Sequence, residues 1–210
     1  NGAIAVGENQ VSFLKNWLDI ENVKYIPHGV DTTFFKPNYT KRKENTLLFV
    51  GQHLRDFDTF NYCIPRLAEK IKNLEVNVIL RKDFFNKIKP HSSISLHSNI
   101  NDIKLKVFYQ EASALFLPMI NSTACNSILE AMASGTPIIT SDVGGNRGYL
   151  FDTESILYPT NDKEYLIDST INLLKNDTQI NTMGNSSRLK SLDFDWQKIS
   201  NEIKSFYKIL

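Results

Sequence analysis

Only two cysteines, Cys63 and Cys125, occur in the 210 residues. They are too few and too scattered for a disulfide framework or a zinc cluster, so a reducing compartment is the default. No apolar run approaches the roughly 18 residues that a membrane-spanning helix needs. Neither sign of charge dominates: 24 Lys and Arg stand against 23 Asp and Glu, for a net charge of +1. That balance argues against wholesale binding to nucleic acid or to an anionic membrane. No group of His, Cys and Asp has metal-ligand spacing, and no Gly-x-Ser-x-Gly elbow announces a serine nucleophile. An initiating Met and the shape of a signal peptide are also lacking. The chain starts at Asn1 just ahead of an apolar run and reads as a fragment whose upstream part is missing.

Apolar residues make up 41% of the chain, ordinary for a globular protein with a sizeable core. Short apolar runs alternate with longer amphipathic ones, the pattern of an α/β domain with a mainly parallel sheet. The expected strands are Ala3–Val6, Val23–Ile26, Thr46–Val50, Val76–Leu80, Ser93–His97, Ala114–Leu117, Pro137–Thr140 and Ser155–Tyr158. Several are solid apolar runs, as strands covered on both faces should be. Phe57, Phe60, Ile64, Leu67 and Ile71 share one face of a helix. Asp56 is placed to cap it, and Pro65 predicts a kink or an early break. Val11, Leu14 and Leu18 mark a shorter helix; Ile199, Ile203, Phe206 and Leu210 mark the last one. The polar, proline-containing stretch from Phe35 to Asn45 reads as a linker, with Lys41, Arg42 and Lys43 solvated.

The most informative stretch runs from Ala114 to Gly145. A buried strand ends at Pro118 and a loop rich in Asn, Ser and Thr follows. A helix beginning near Ile128 ends at Gly135, and Pro137 opens the next strand. A polar loop leading into a helix N-terminus, at the carboxyl end of a strand, is where open α/β sheets bind ligands. The unpaired N–H groups of a first helical turn suit a phosphate, and Glu130 is placed to turn toward the same ligand.

This stretch resembles the nucleotide-sugar signature of retaining GT-B glycosyltransferases, above all glycosyltransferase family 4. Three further passages match in the same order. Tyr25-Ile26-Pro27-His28-Gly29-Val30-Asp31, followed by Phe35 and Pro37, resembles the passage between the family's two domains. Leu47-Leu48-Phe49-Val50-Gly51 resembles the first strand and glycine turn of the donor domain. Asp168 to Leu210, with Asp195-Trp196-Gln197-Lys198-Ile199, resembles the terminal helices. The resemblance covers essentially the whole chain. It implies a Rossmann-like doubly wound parallel sheet, the C-terminal half of a GT-B fold. It also implies three segments: 1–35, a remnant of the N-terminal acceptor domain; 36–192, the nucleotide-sugar domain; and 193–210, a helix returning toward the first domain.

The implied function is binding of a nucleotide-diphosphate sugar for transfer to a glycan or lipid-linked acceptor, with retention. Neither metal nor other cofactor is implied. The location would be cytoplasmic, with peripheral association of the full-length protein at the inner face of the plasma membrane. Without the missing domain the chain would bind donor yet transfer nothing. Of the family's two glutamates eight apart, the second falls on Glu130 and is implied to bond the ribose hydroxyls. The first falls on Ser122, a departure that leaves Ser122, Thr123 and Asn126 as candidate sugar contacts. The N–H groups of Asn126, Ser127, Ile128 and Leu129 would meet the diphosphate. Gly51 matches, but the Arg usually next to it is Gln52, and the nearest cation is Arg55. Arg55 is assigned the diphosphate role, because a guanidinium is always charged and grips two oxygens; the alternative is a surface pair with Asp56 or Asp58. His53 is read as capping or packing. Arg81, Asn99 and Ile100 are expected to contact the base through the backbone. Gly144 and Gly145 match the family's glycine pair, whereas the Glu three residues on is Gly148; Arg147 and Tyr149 have no assignment.

Asp56-Phe57-Asp58 and Asp193-Phe194-Asp195 spell Asp-x-Asp, a metal motif in another glycosyltransferase fold, but helix capping accounts for both. Two rival functions stay open: a non-catalytic nucleotide-sugar sensor or subunit, and a sugar-nucleotide epimerase of GT-B fold.

Overall fold

The computed structural model describes residues 1–210. A six-stranded, wholly parallel sheet forms the centre, from β3 (Thr46–Val50), β4 (Glu75–Ile79), β5 (Ile94–His97), β6 (Ala114–Leu117), β7 (Ile138–Ser141) and β8 (Ile156–Tyr158). Its strand order is β5-β4-β3-β6-β7-β8. The chain winds outward from β3 in one direction and then from β6 in the other. The reversal therefore lies between β3 and β6, and open α/β sheets bind ligands outside the carboxyl ends of such a pair. β3, β6 and β7 are buried along their whole length, which is why Leu47–Val50 and Ala114–Leu117 read as unbroken apolar runs; Thr140 and Ser141 at the end of β7 are buried with their hydroxyls hydrogen-bonded. All eight expected strands are present, with ends shifted by one residue at most; β1 (Ala3–Ala5) and β2 (Val23–Tyr25) pair in a separate two-stranded parallel sheet.

Helices α2 (Phe57–Lys70), α3 (Asp102–Glu111), α4 (Asn126–Ala133), α5 (Asn146–Leu150), α6 (Lys163–Leu174) and α7 (Asp177–Ser191) follow the strands of the large sheet. Asp56 caps α2 by accepting from the Thr59 N–H at 2.8 Å. The break expected at Pro65 does not occur, because α2 runs through it. Cys63, Ile64 and Leu67 around it are fully buried, so packing of this face outweighs the missing N–H.

The solvated linker is also corrected. Arg42 donates to the Gly135 carbonyl at 2.6 Å and reaches Asn181 Oδ1 at 3.3 Å. Lys43 pairs with Glu111 at 2.8 Å. Arg42 is thus a strap across the end of α4, while Lys41 and Lys43 stay exposed as expected. Charge patterning alone could not show this, because the carbonyls it meets belong to distant residues.

The core is divided. One cluster of 42 buried residues surrounds the large sheet, and it includes Val30, Phe35 and Phe194. A second holds Ile26, Ile199 and Phe206, with Ile4 and Ile203 packed against it. The second cluster joins β1 and β2 to the last helix, α8 (Trp196–Tyr207). The spacing of Ile199, Ile203 and Phe206 is the face that α8 buries there. Helix α1 (Val11–Leu18) lies beside β2 and leaves Phe13 and Trp17 exposed, stacked at 6.0 Å. No helix is long and apolar enough to cross a membrane.

Candidate functional site

The loops at the reversal point build the site. After β3 the chain turns at Gly51, whose φ of +83° lies in the left-handed region. A Cβ there would stand 2.9 Å from Arg55 Nη2. Glycine thus serves twice, for the turn and for the guanidinium lying over it. Leu54 also has a positive φ, +56°, a conformation costly for a bulky residue and held only where surroundings enforce it. The enforcing contacts are visible: Leu54 accepts from the Ile120 N–H at 3.0 Å, and the Asp56 N–H donates to Pro118 O at 2.9 Å. The two loops are thereby tied together across the β3–β6 boundary.

Arg55 makes no ion pair with Asp56 or Asp58. It turns inward, donating to Val50 O and His53 O, each at 2.9 Å. Nη2 reaches Ser127 Oγ at 3.3 Å and Cys125 Sγ at 3.6 Å. The guanidinium is therefore set against the first turn of α4. That turn has no side-chain cap, and its N-cap residue is Cys125. The N–H groups of Ile128 and Leu129 are already given to Cys125 O at 3.0 and 3.2 Å, so their assignment to a diphosphate is corrected. The N–H groups of Asn126 and Ser127 make no hydrogen bond within the chain. A positive side chain facing the positive end of a helix, with two open donors and no carboxylate between them, is an arrangement completed by an anion.

Glu130 sits one turn further along α4. It lines a narrow cleft of about 170 Å³ with Gly29, Asp31, Asn126 and Trp196. Burial pushes its carboxyl up to about 7, although the Tyr109 hydroxyl, donating at 2.8 Å, works the other way. Tyr109 is fully buried on α3, so Glu130 is held from behind while its other oxygen has no partner in the chain. Asp31 is occupied with its own turn, accepting from the N–H groups of Thr33 and Phe34. Asn126 Oδ1 meets His28 Nδ1 at 3.2 Å, and the His28 N–H donates to Tyr149 Oη at 2.9 Å. Tyr149 in turn donates to Val6 O at 2.7 Å. Tyr149 thus stitches the small sheet to the large domain and steadies His28, which aligns Asn126.

Ser122 and Thr123 diverge. Ser122 is buried and its Oγ has neither partner nor solvent contact, so its expected sugar contact is corrected. The cause is the glycine pair. Gly145 donates its N–H to Ser122 O at 3.0 Å, and a Cβ on Gly144 or Gly145 would collide with the carbonyls of Ser122 or Thr123. Thr123 remains exposed. Gln52 follows Gly51, half-buried and without a hydrogen bond through its side chain. At the β4 and β5 ends, Arg81 is bound bidentately to Asp83 at 2.6 and 3.1 Å. Asn99 is exposed with φ of +52°, and Ile100 packs on the core. On the same edge of the sheet, Arg81 stands two strands, and Asn99 and Ile100 three strands, from β6, which leads into α4. Arg147 pairs with Asp142. Both Asp-x-Asp triplets act as caps: Asp56 as above, and Asp195 by accepting from the Gln197 N–H at 2.9 Å and from the Thr32 hydroxyl.

Sequence reasoning missed Tyr109, Cys125, His28 and Arg188. His28 and Cys125 had a signal, since they lie inside the inter-domain passage and the loop–helix stretch singled out in the sequence. Arg188 on α7 donates to Ala133 O, Thr32 O and Phe35 O at 3.0–3.3 Å.

Comparison with known proteins bears on the fold and the family. The chain is 24% identical over 203 residues to the D-inositol 3-phosphate glycosyltransferase of Arthrobacter sp. (strain FB24), covering 86% of this chain and 48% of the relative. The chain spans about half the length of the curated relatives it matches. Among solved structures, the sucrose-phosphate synthase of Thermosynechococcus elongatus superposes with a TM-score of 0.83 at 19% identity, over 98% of this chain and 57% of that one. S. aureus TarM, solved with UDP, gives 0.82 at 15% identity, over 98% and 43%. These likenesses establish the fold as the C-terminal half of GT-B. The family model described as "Glycosyl transferases group 1" matches residues 44–176; the chain belongs to the group 1 glycosyl transferases.

Proposed function

We propose that this chain is the donor-binding half of a glycosyltransferase. It holds a nucleotide-diphosphate sugar for transfer to a glycan or lipid-linked acceptor, with retention of configuration. The observation that carries the reading is Arg55 against the uncapped start of α4, with the N–H groups of Asn126 and Ser127 open. The diphosphate lies in that cradle, where fixed donors and a guanidinium also stabilise charge building on the leaving group. Glu130 accepts the ribose hydroxyls, a task that suits a carboxylate with one free oxygen. The base lies toward Arg81, Asn99 and Ile100 and meets backbone groups there.

The positive field comes from protein groups, so binding should proceed with a chelator present. Calorimetry of this chain with UDP, GDP and ADP in EDTA tests the reading, and the UDP in the TarM complex makes UDP the first choice. One of the three should bind, and the 2′-deoxy form should bind more weakly because Glu130 loses a hydroxyl. No binding of any of them, or binding only with added divalent metal, would overturn the reading.

A further inference from the structure

A second cavity, of about 500 Å³, lies between the Glu8–Asn9 turn and α5, against the loop that leads from Asn121 into α4. Glu8 and Asn9 form one wall, and Gly145, Arg147, Gly148 and Phe151 form the other. This cavity and the diphosphate cradle share structure. Gly145 donates to Ser122 O, and a Cβ on Gly7 would stand 3.2 Å from Thr123 O. The loop that enters α4 is thus the partition between them. Anything hanging from a diphosphate at Arg55 would find this cavity next to it.

The chemistry of the lining is uneven. Arg147 is committed to Asp142. Ser122, on the partition, has its hydroxyl buried and turned away. Glu8 is the one carboxylate in the lining, and its side chain makes no ion pair or hydrogen bond. Its Oε2 lies 3.8 Å from where a Cβ on Gly148 would be, so it projects over the glycine floor and into open space. Asn9 adds an amide, and Phe151, 64% exposed, adds an apolar ring. A free carboxylate that accepts two hydrogen bonds, an amide and a ring make a lining for a polyhydroxylated ring with one apolar face.

We infer that Glu8 is the sugar-selecting carboxylate of this protein, accepting hydroxyls of the donor's sugar within this cavity. The inference rests on the diphosphate reading above. It gives the small sheet a direct part in donor recognition, because Glu8 directly follows β1 and the Gly7 turn. Gly148 keeps the cavity open: its φ is not left-handed and a Cβ there meets only the Glu8 carboxylate, so a longer side chain would project into the sugar's place without straining the backbone.

The test pairs each nucleoside diphosphate with its sugar conjugate: UDP with UDP-glucose, GDP with GDP-mannose, ADP with ADP-glucose. Titrations use wild type, Glu8→Ala and Gly148→Met. Both variants should weaken the conjugate about tenfold, the usual cost of one charged hydrogen-bonding partner, and leave the matching diphosphate unchanged. Conjugate affinity unchanged in both variants would overturn the inference. Equal weakening of conjugate and diphosphate would also overturn it, by showing that Glu8 supports the cradle rather than the sugar. Wild type that binds no diphosphate would sink the parent reading, and this inference with it.

Discussion

The two ends of helix α4 each meet an arginine, with opposite consequences. At the C-terminal end Arg188 donates to Ala133 O and, in the same reach, to Thr32 O and Phe35 O, while Arg42 donates to Gly135 O. Cations there face the negative end of the helix and satisfy carbonyls that would otherwise be stranded. At the N-terminal end Arg55 faces the positive end, no side chain caps the turn, and two N–H groups stay open. The same residue type satisfies carbonyls at one end and faces open N–H groups at the other. An arginine's role therefore follows from the sign of the field it sits in.

Four changes would break or sharpen this contrast. Arg188→Ala should have the largest effect, about 2–4 kcal/mol of lost stability, because three carbonyls lose one charged donor. Denaturant unfolding reads it, and nucleotide affinity per folded molecule should stay the same. Arg55→Ala should reverse the pattern, weakening diphosphate binding by about 1.5–3 kcal/mol. Its cost in stability should be smaller than that of Arg188→Ala, because it removes a cation from the positive end of α4. Equal stability losses from the two variants would remove the distinction.

Cys125→Asp installs the missing cap beside Arg55. The apo chain should gain about 1 kcal/mol, seen as a higher melting temperature, and diphosphate affinity should drop because the cap competes for the same donors. A stabilised variant that binds diphosphate as well as wild type would show that α4 is not the anion site.

The smallest effect concerns pH. Burial raises the Glu130 carboxyl from its ordinary 4.5 to about 7. Below the ordinary value both folded and unfolded chains hold the proton. Above it the unfolded chain releases the proton first, so this group lowers stability as pH rises toward 7. The ionised form accepts hydrogen bonds from ribose hydroxyls more strongly than the protonated one, so nucleotide affinity should rise between about pH 6 and about pH 8. In Glu130→Gln both slopes should flatten; a wild-type affinity that is flat over that range would separate Glu130 from the ribose.

Much of the fold was legible because it is a property of local runs. A strand buried on both faces is largely apolar, so Thr46–Val50 and Ala114–Leu117 read with their observed ends. The loop leading into a helix was legible for a related reason, since Asn, Ser and Thr cluster where backbone must turn, but the helix expected from Ile128 begins at Asn126 and its lack of a cap was not foreseen. The linker was misread because Arg42 has its partners far away in sequence, at positions 135 and 181. The burial of Ser122 was not legible because the glycine pair packed against its backbone lies more than twenty residues on.

The sequence by itself determined the parallel α/β architecture, the loop–helix at Asn126, the place of Glu130 and the capping roles of Asp56 and Asp195. Each depends on neighbours within one or two turns, or on a periodicity that the chain carries openly. Only the tertiary structure decided that Arg55 turns away from Asp56 toward α4, that Tyr109 backs Glu130, that Ser122 is closed off and that Glu8 stands over Gly148. Those outcomes depend on which groups are left unsatisfied when distant segments pack together, and hydrogen bonds formed across such packing leave no period in the sequence.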